Sequence, residues 1–212
     1  MLTKTHTFPI FFILVVLLIA ISQPVLAAYQ QPYYSPAYKE LSPQNKTVFS
    51  DAMKQGDALY KAGQYNQAAE AYRKAVSLCP NDYTAEAAYG QALIAQASKT
   101  SGSMKQDLLD NASKYLYNAE QHIYHFAYQQ GSSFAGYEEF DLMAKIQTSW
   151  AELFRLEGNE TAAQLSEREA AEYRQKANES VGGSAVPLSP LLPFAGLGVS
   201  TVYLYLKRRG YR

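Results

Sequence analysis

The residues best suited to chemistry lie on one predicted helix: His122 and His125, with Glu120 nearby. Two imidazoles three residues apart share a helical face, and a neighbouring carboxylate is the beginning of a transition-metal site. Such a site needs a further ligand, and no compact acidic or cysteine cluster accompanies the pair to give one. The pair reads instead as surface or seam histidines among tyrosines, so no metal and no cofactor is expected. Cys79 is the single cysteine, which excludes an internal disulfide. It stands just before Pro80, where a partly buried, unreactive thiol is expected. Glu138, Glu139 and Asp141 cluster at a helix start, which the helix dipole explains. No phosphate loop, nucleotide-binding glycine pair or nucleophile elbow occurs. No catalytic residue is assigned, and the chain reads as a non-enzyme.

The elements around these residues follow a spacing that is clearest in residues 48–82. Gly56 allows two helices to approach closely, and Leu59 and Tyr60 face the partner helix. Gly63 and Tyr65 make the turn, Ala68 gives close contact, Tyr72 and Ala75 fill the seam, and Pro80 ends the second helix. The stretch resembles a tetratricopeptide repeat, with Ala52 where the family's first aromatic stands. Gly90 follows Gly56 at the repeat's period, so a second repeat begins at Tyr83. A longer loop, Thr100 to Ser103, replaces its turn, and Ala112, Leu116 and Ala119 repeat the spacing of Ala68, Tyr72 and Ala75, so the repeat carries an insertion of about ten residues. A degraded third repeat pairs an amphipathic helix, Tyr137 to Glu157, with Thr161 to Ala177, turning at Gly158. Its polar second helix suits a solvent-facing cap. The expected fold is all-α: a right-handed α-solenoid of about three such hairpins over residues 45–177.

The two ends suggest export. Residues 1–27 read as a signal peptide, with Lys4 before an apolar run and cleavage before Ala28. Residues 28–44 form a Tyr/Pro-rich segment without periodicity, expected to be an extended linker. Residues 178–186 read as a flexible tether, 187–206 as a transmembrane segment, and 207–212 as a basic cytoplasmic tail. That topology puts the helical domain outside the membrane. Four of the seven asparagines, Asn45, Asn111, Asn159 and Asn178, stand in Asn-x-Ser/Thr sequons where chance would give about one, and each is a candidate N-glycosylation site of an exported glycoprotein.

Equal acidic and basic counts, 19 each, argue against a nucleic-acid partner. The resemblance implies a concave groove lined by the first helix of each repeat. The matching positions are Met53, Asp57, Tyr60 and Lys61, then Thr84, Ala87, Gln91 and Ile94. The clamp some family members use for a partner's C-terminal carboxylate needs Lys and Asn there. Met53, Asp57 and Ala87 stand in their places, so that partner is not implied. The groove suits a helix or extended peptide. Function therefore reads as protein–protein docking or assembly by a membrane-anchored scaffold, whose exposed end seams also allow self-association. The alternative is a cell-surface protein whose tail, Pro-containing, apolar and then basic, resembles the sorting signals cut by archaeosortase-like enzymes.

Overall fold

The computed structural model describes residues 35–129, 134–135, 137–180 and 186–187. Seven helices occur among them: α1 (Pro36–Lys39), α2 (Pro43–Lys61), α3 (Tyr65–Leu78), α4 (Tyr83–Ala97), α5 (Gly102–Gln129), α6 (Tyr137–Leu156) and α7 (Glu160–Ser180). A two-residue antiparallel ladder joins β1 (Phe134–Ala135) to β2 (Val186–Pro187). The long helices form three hairpins, α2/α3, α4/α5 and α6/α7. This is an all-helical arrangement consistent with tetratricopeptide-like repeats. The signal segment, the first part of the linker and nearly all of the apolar C-terminal run lie outside the described residues. Among the described residues, no helix is long and apolar enough to cross a membrane.

The hairpin turns repeat in atomic detail. Gly63 has φ +73°, Gly63 N–H donates to the Tyr60 carbonyl at 3.0 Å, and Gln64 N–H donates to the Leu59 carbonyl at 2.9 Å. Gly158 has φ +78°, with Gly158 N–H on Arg155 at 2.9 Å and Asn159 N–H on Phe154 at 2.8 Å. Both are Schellman caps, which place a left-handed residue just past the helix and satisfy its last carbonyls. The middle hairpin turns differently. Ser98 Oγ and Thr100 Oγ1 donate to the Ala95 and Gln96 carbonyls, doing the work of the missing glycine cap.

The insertion in the second repeat lies mainly in its helices. The connection between α4 and α5 is short, and α5 already begins at Gly102, within the expected loop. Gly90 still meets Leu116 and the Ala112 carbonyl, as Gly56 meets Tyr72, so the seam register survives the insertion. The extra residues lengthen α4 slightly and place additional turns at the start of α5.

The linker expectation is corrected from residue 35 onward. Ser35 is buried, and both its N–H (3.2 Å) and its Oγ (2.6 Å) donate to Asp82 Oδ2. Tyr38 packs on Phe49 with ring centroids 5.3 Å apart, and its hydroxyl lies 3.2 Å from Ser50 Oγ. Asp82 also caps α4, accepting from Ala85 N–H at 2.8 Å. Polar residues without periodicity can therefore be ordered by partners distant in sequence. The cap-helix expectation also changes: α7 is charged in composition, yet it buries Glu169 and Ser166 beside Ala163, Ala170 and Tyr173.

A Cβ at Gly56 would stand 2.5–2.8 Å from three Tyr72 ring carbons, against 3.0 Å from the nearest Leu116 atoms at Gly90. Overpacking costs about 1–3 kcal/mol, while alanine gains about 1 kcal/mol of helix propensity over glycine. Gly56→Ala is thus expected to lower the thermal midpoint, and to do so more than Gly90→Ala. Equal shifts in parallel melts would contradict the close-approach assignment.

Candidate partner-binding face

Three helices, α2, α4 and α6, are the first members of their hairpins and carry equivalent positions. Counted from the turn glycines or the seam glycines, Asp57, Gln91 and Glu152 occupy the same place in the three repeats. Asp57 and Glu152 are exposed and Gln91 is half-buried. Asp57 Oδ1 accepts from Tyr72 Oη at 2.7 Å, which fixes the carboxylate against its own hairpin. The bond and burial together push the Tyr72 phenol far above its ordinary value, burial being the larger cause. Glu152 is reached by solvent, yet desolvation holds its carboxyl above the usual carboxylate range.

Tyr60 and Tyr65 stand at the end of this face, both half-buried, with ring centroids 5.2 Å apart and tilted by 55°. Desolvation raises the Tyr60 phenol, and the charge of Glu152 on α6 adds to the rise. Glu152 on α6 is thus near enough to the end of α2 to act on Tyr60. Lys61 is exposed and Thr84 half-buried. The remaining groove expectations are corrected. Met53, Ala87 and Ile94 are buried, Ile94 completely, so none of them can meet a partner in this packing. Their apolar character serves the core instead, and α6 packs across α4, the helix of Ala87 and Ile94, as well as α5. The available face is Asp57, Tyr60, Lys61, Thr84, Gln91 and Glu152. Sequence reading missed Glu152, although counting back from Gly158 as from Gly63 would have found it.

The histidine site separates into three environments. His122 Nδ1 lies 2.7 Å from Glu86 Oε2, and Glu86 is 2% exposed on α4. Hydrogen bonding to Glu86 raises the His122 pKa against the opposing effect of burial. Burial raises Glu86 as well, outweighing the pull of His122, so this carboxylate depends on its partner. Glu120 turns instead toward Gln147 and Trp150, and His125 is exposed. Among the described residues, no group of three or more His, Cys, Asp or Glu could hold a metal. Cys79 is buried, and desolvation pushes its thiol up to about 11, away from the reactive thiolate. Asp141 pairs with Lys145 at 2.7 Å in the first turns of α6. The four sequon asparagines, Asn45, Asn111, Asn159 and Asn178, are all exposed.

Comparison with known proteins agrees with the clearest part of this architecture. Residues 52–82 match the tetratricopeptide repeat family, covering most of α2 and all of α3. No curated protein and no solved structure matches the chain.

The Glu86 contact gives a direct titration test. His122 should titrate above the ordinary histidine value of 6.5. Glu86→Gln should bring it down, because the charged acceptor that favours imidazolium is gone. An NMR pH titration of the ring protons reads both, and an unchanged midpoint in the variant would refute the pairing.

Proposed function

We propose that this chain is a non-enzymatic docking or assembly module, a short right-handed solenoid anchored to a membrane with its helical domain on the extracytoplasmic side. The observation that carries the docking reading is the tetratricopeptide repeat at residues 52–82, because such repeats serve protein–protein interaction. The row Asp57, Gln91 and Glu152 supports it, since three consecutive hairpins offer polar, solvent-reached groups at one register position. With Tyr60 at its edge, this face suits an extended or helical segment. Tyrosine supplies large contact area at low entropic cost, and the polar row fixes register by hydrogen bonding.

The membrane and export parts of the proposal rest on the sequence of the two ends. An apolar lead with a small-residue cleavage site and an apolar run closed by Lys207, Arg208 and Arg209 agree on one orientation. The exposed sequon asparagines are compatible with that side of the membrane. The tail's Pro-containing, apolar, basic order also supports the second reading, a surface protein released from its span by an archaeosortase-like enzyme.

A photo-crosslinker at Gln91 in intact cells, followed by mass spectrometry, tests the module. One dominant partner in near-equal amount is expected. Tyr60→Ala combined with Gln91→Glu should abolish capture with helicity unchanged, and persistent capture would show that another face binds. The same spectra read the tail: an intact span supports the anchor, and a chain ending near Pro193 supports processing.

A further inference from the structure

The seam where the third hairpin meets α5 is polar at its centre. Glu120, on α5, is 2% exposed, and its Oε1 accepts from Gln147 Nε2 at 2.8 Å and from Trp150 Nε1 at 3.1 Å, both on α6. Glu169, on α7, is 7% exposed. Neither carboxylate has a salt bridge among the described residues. Tyr124 of α5 and Tyr173 of α7 close the seam, their hydroxyls 2.9 Å apart. Two buried side-chain atoms in this seam have no hydrogen-bond partner, Gln147 Oε1 and Glu169 Oε1. Both are oxygens. What the seam lacks is therefore donors, and a protonated carboxyl supplies one.

We propose that this seam is a proton-operated latch: protonated Glu120 and Glu169 hold α6 and α7 against α5, and their ionisation loosens the third hairpin. The surrounding charges agree. Glu120 faces Gln147 and Trp150 from α6 and Glu169 and Tyr173 from α7, with Tyr124 on its own helix; among the described residues its charged neighbour is Glu169, of like sign. Glu169 feels Glu172 and Arg168 on α7, the first opposing ionisation and the second favouring it. His122 of α5 is taken by Glu86 of α4 and is not available to compensate.

Burial, with the like charge of Glu169, pushes Glu120 from 4.5 up to about 8. Burial and Glu172 push Glu169 up to about 7. The sign follows directly. A carboxyl whose folded value is raised stabilises the folded seam fully below about 4.5, and that contribution is lost as pH rises through 7 and then 8. The latch is closed in acid and loosened in mild alkali, the reverse of ordinary acid denaturation. It requires no partner and is independent of the docking reading.

Hydrogen exchange of the full chain in detergent micelles tests it, with rates corrected for intrinsic pH dependence. Each proton released on opening makes the opening constant rise about tenfold per pH unit. Protection of α6 and α7 should therefore fall steeply between pH 5 and 8 while that of α2 and α3 holds. Glu120→Gln keeps shape and hydrogen bonding but cannot ionise, so it should flatten the dependence; adding Glu169→Gln should remove it. An infrared band of protonated carboxyl at pH 6 that weakens in Glu120→Gln reads the same group in the folded wild type. Flat protection in the wild type, an unaltered slope in the double variant, or the absence of that band would overturn the latch.

Discussion

Each hairpin depends on how near its two helices can come, and in the first this is set by the ring of Tyr72 lying over Gly56. No side chain fits between them, since even a methyl group would meet ring carbons at 2.5 Å. With the helices this close, the Tyr72 hydroxyl reaches across to Asp57 and orients that carboxylate. The seam contact and the candidate partner face are thus one construction. At Gly90 a leucine replaces the ring and the approach is less severe. In the third hairpin the position equivalent to Tyr72 is Glu167, exposed and paired with Arg155 at 2.5 Å. No ring enters there, and Ala151 stands in place of glycine.

What was legible in the sequence was local. Gly63 and Gly158 announced their turns because a residue just past a helix end must often adopt positive φ, which glycine does without strain. Ala68, Ala75, Ala112 and Ala119 announced seams because close helices need small residues at helical spacing, and all four are buried. The less legible features rest on long-range partners. Ser35 is ordered by Asp82, which stands 47 residues away, so no window of composition could have lifted it out of a Tyr/Pro-rich segment. The insertion was legible in size and not in place, because a stretch rich in serine and threonine suggests a loop. The side chains of Ser98 and Thr100 instead cap the end of α4.

The groove shows the same division. Register gave a row of positions, and burial decided which of its members solvent reaches. Met53, Ala87 and Ile94 hold groove positions by register, yet they are apolar and buried, and α6 packs across α4, which carries two of them. Apolar residues on a repeat helix are claimed first by neighbouring repeats, because an isolated hairpin cannot bury its own face. The candidate partner face is then what the neighbours leave uncovered: polar groups and the rims of tyrosines. A stack of three hairpins should hence recognise its partner more by hydrogen bonds and aromatic edges than by an oily channel.

The seam at α5 has the opposite character, and that contrast bears on how the domain works. The core of the first two hairpins is largely alanine, with Phe49, Val76, Leu93 and Ile94. Between α5 and the third hairpin, Trp150 lends its indole N–H to a buried glutamate instead of lying in a wholly apolar seam. A buried carboxyl without a cation is weak evidence of added stability, since an apolar residue of similar volume would often serve as well or better. Its distinctive property is conditional stability: the same atoms are a donor and an acceptor when protonated and a repelling charge when not. Glu152, on the available face, sits on the helix that this seam holds in place. Whatever moves α6 also moves one end of the polar row, so under the proposed docking function the firmness of the third hairpin would govern whether all three positions engage a partner at once.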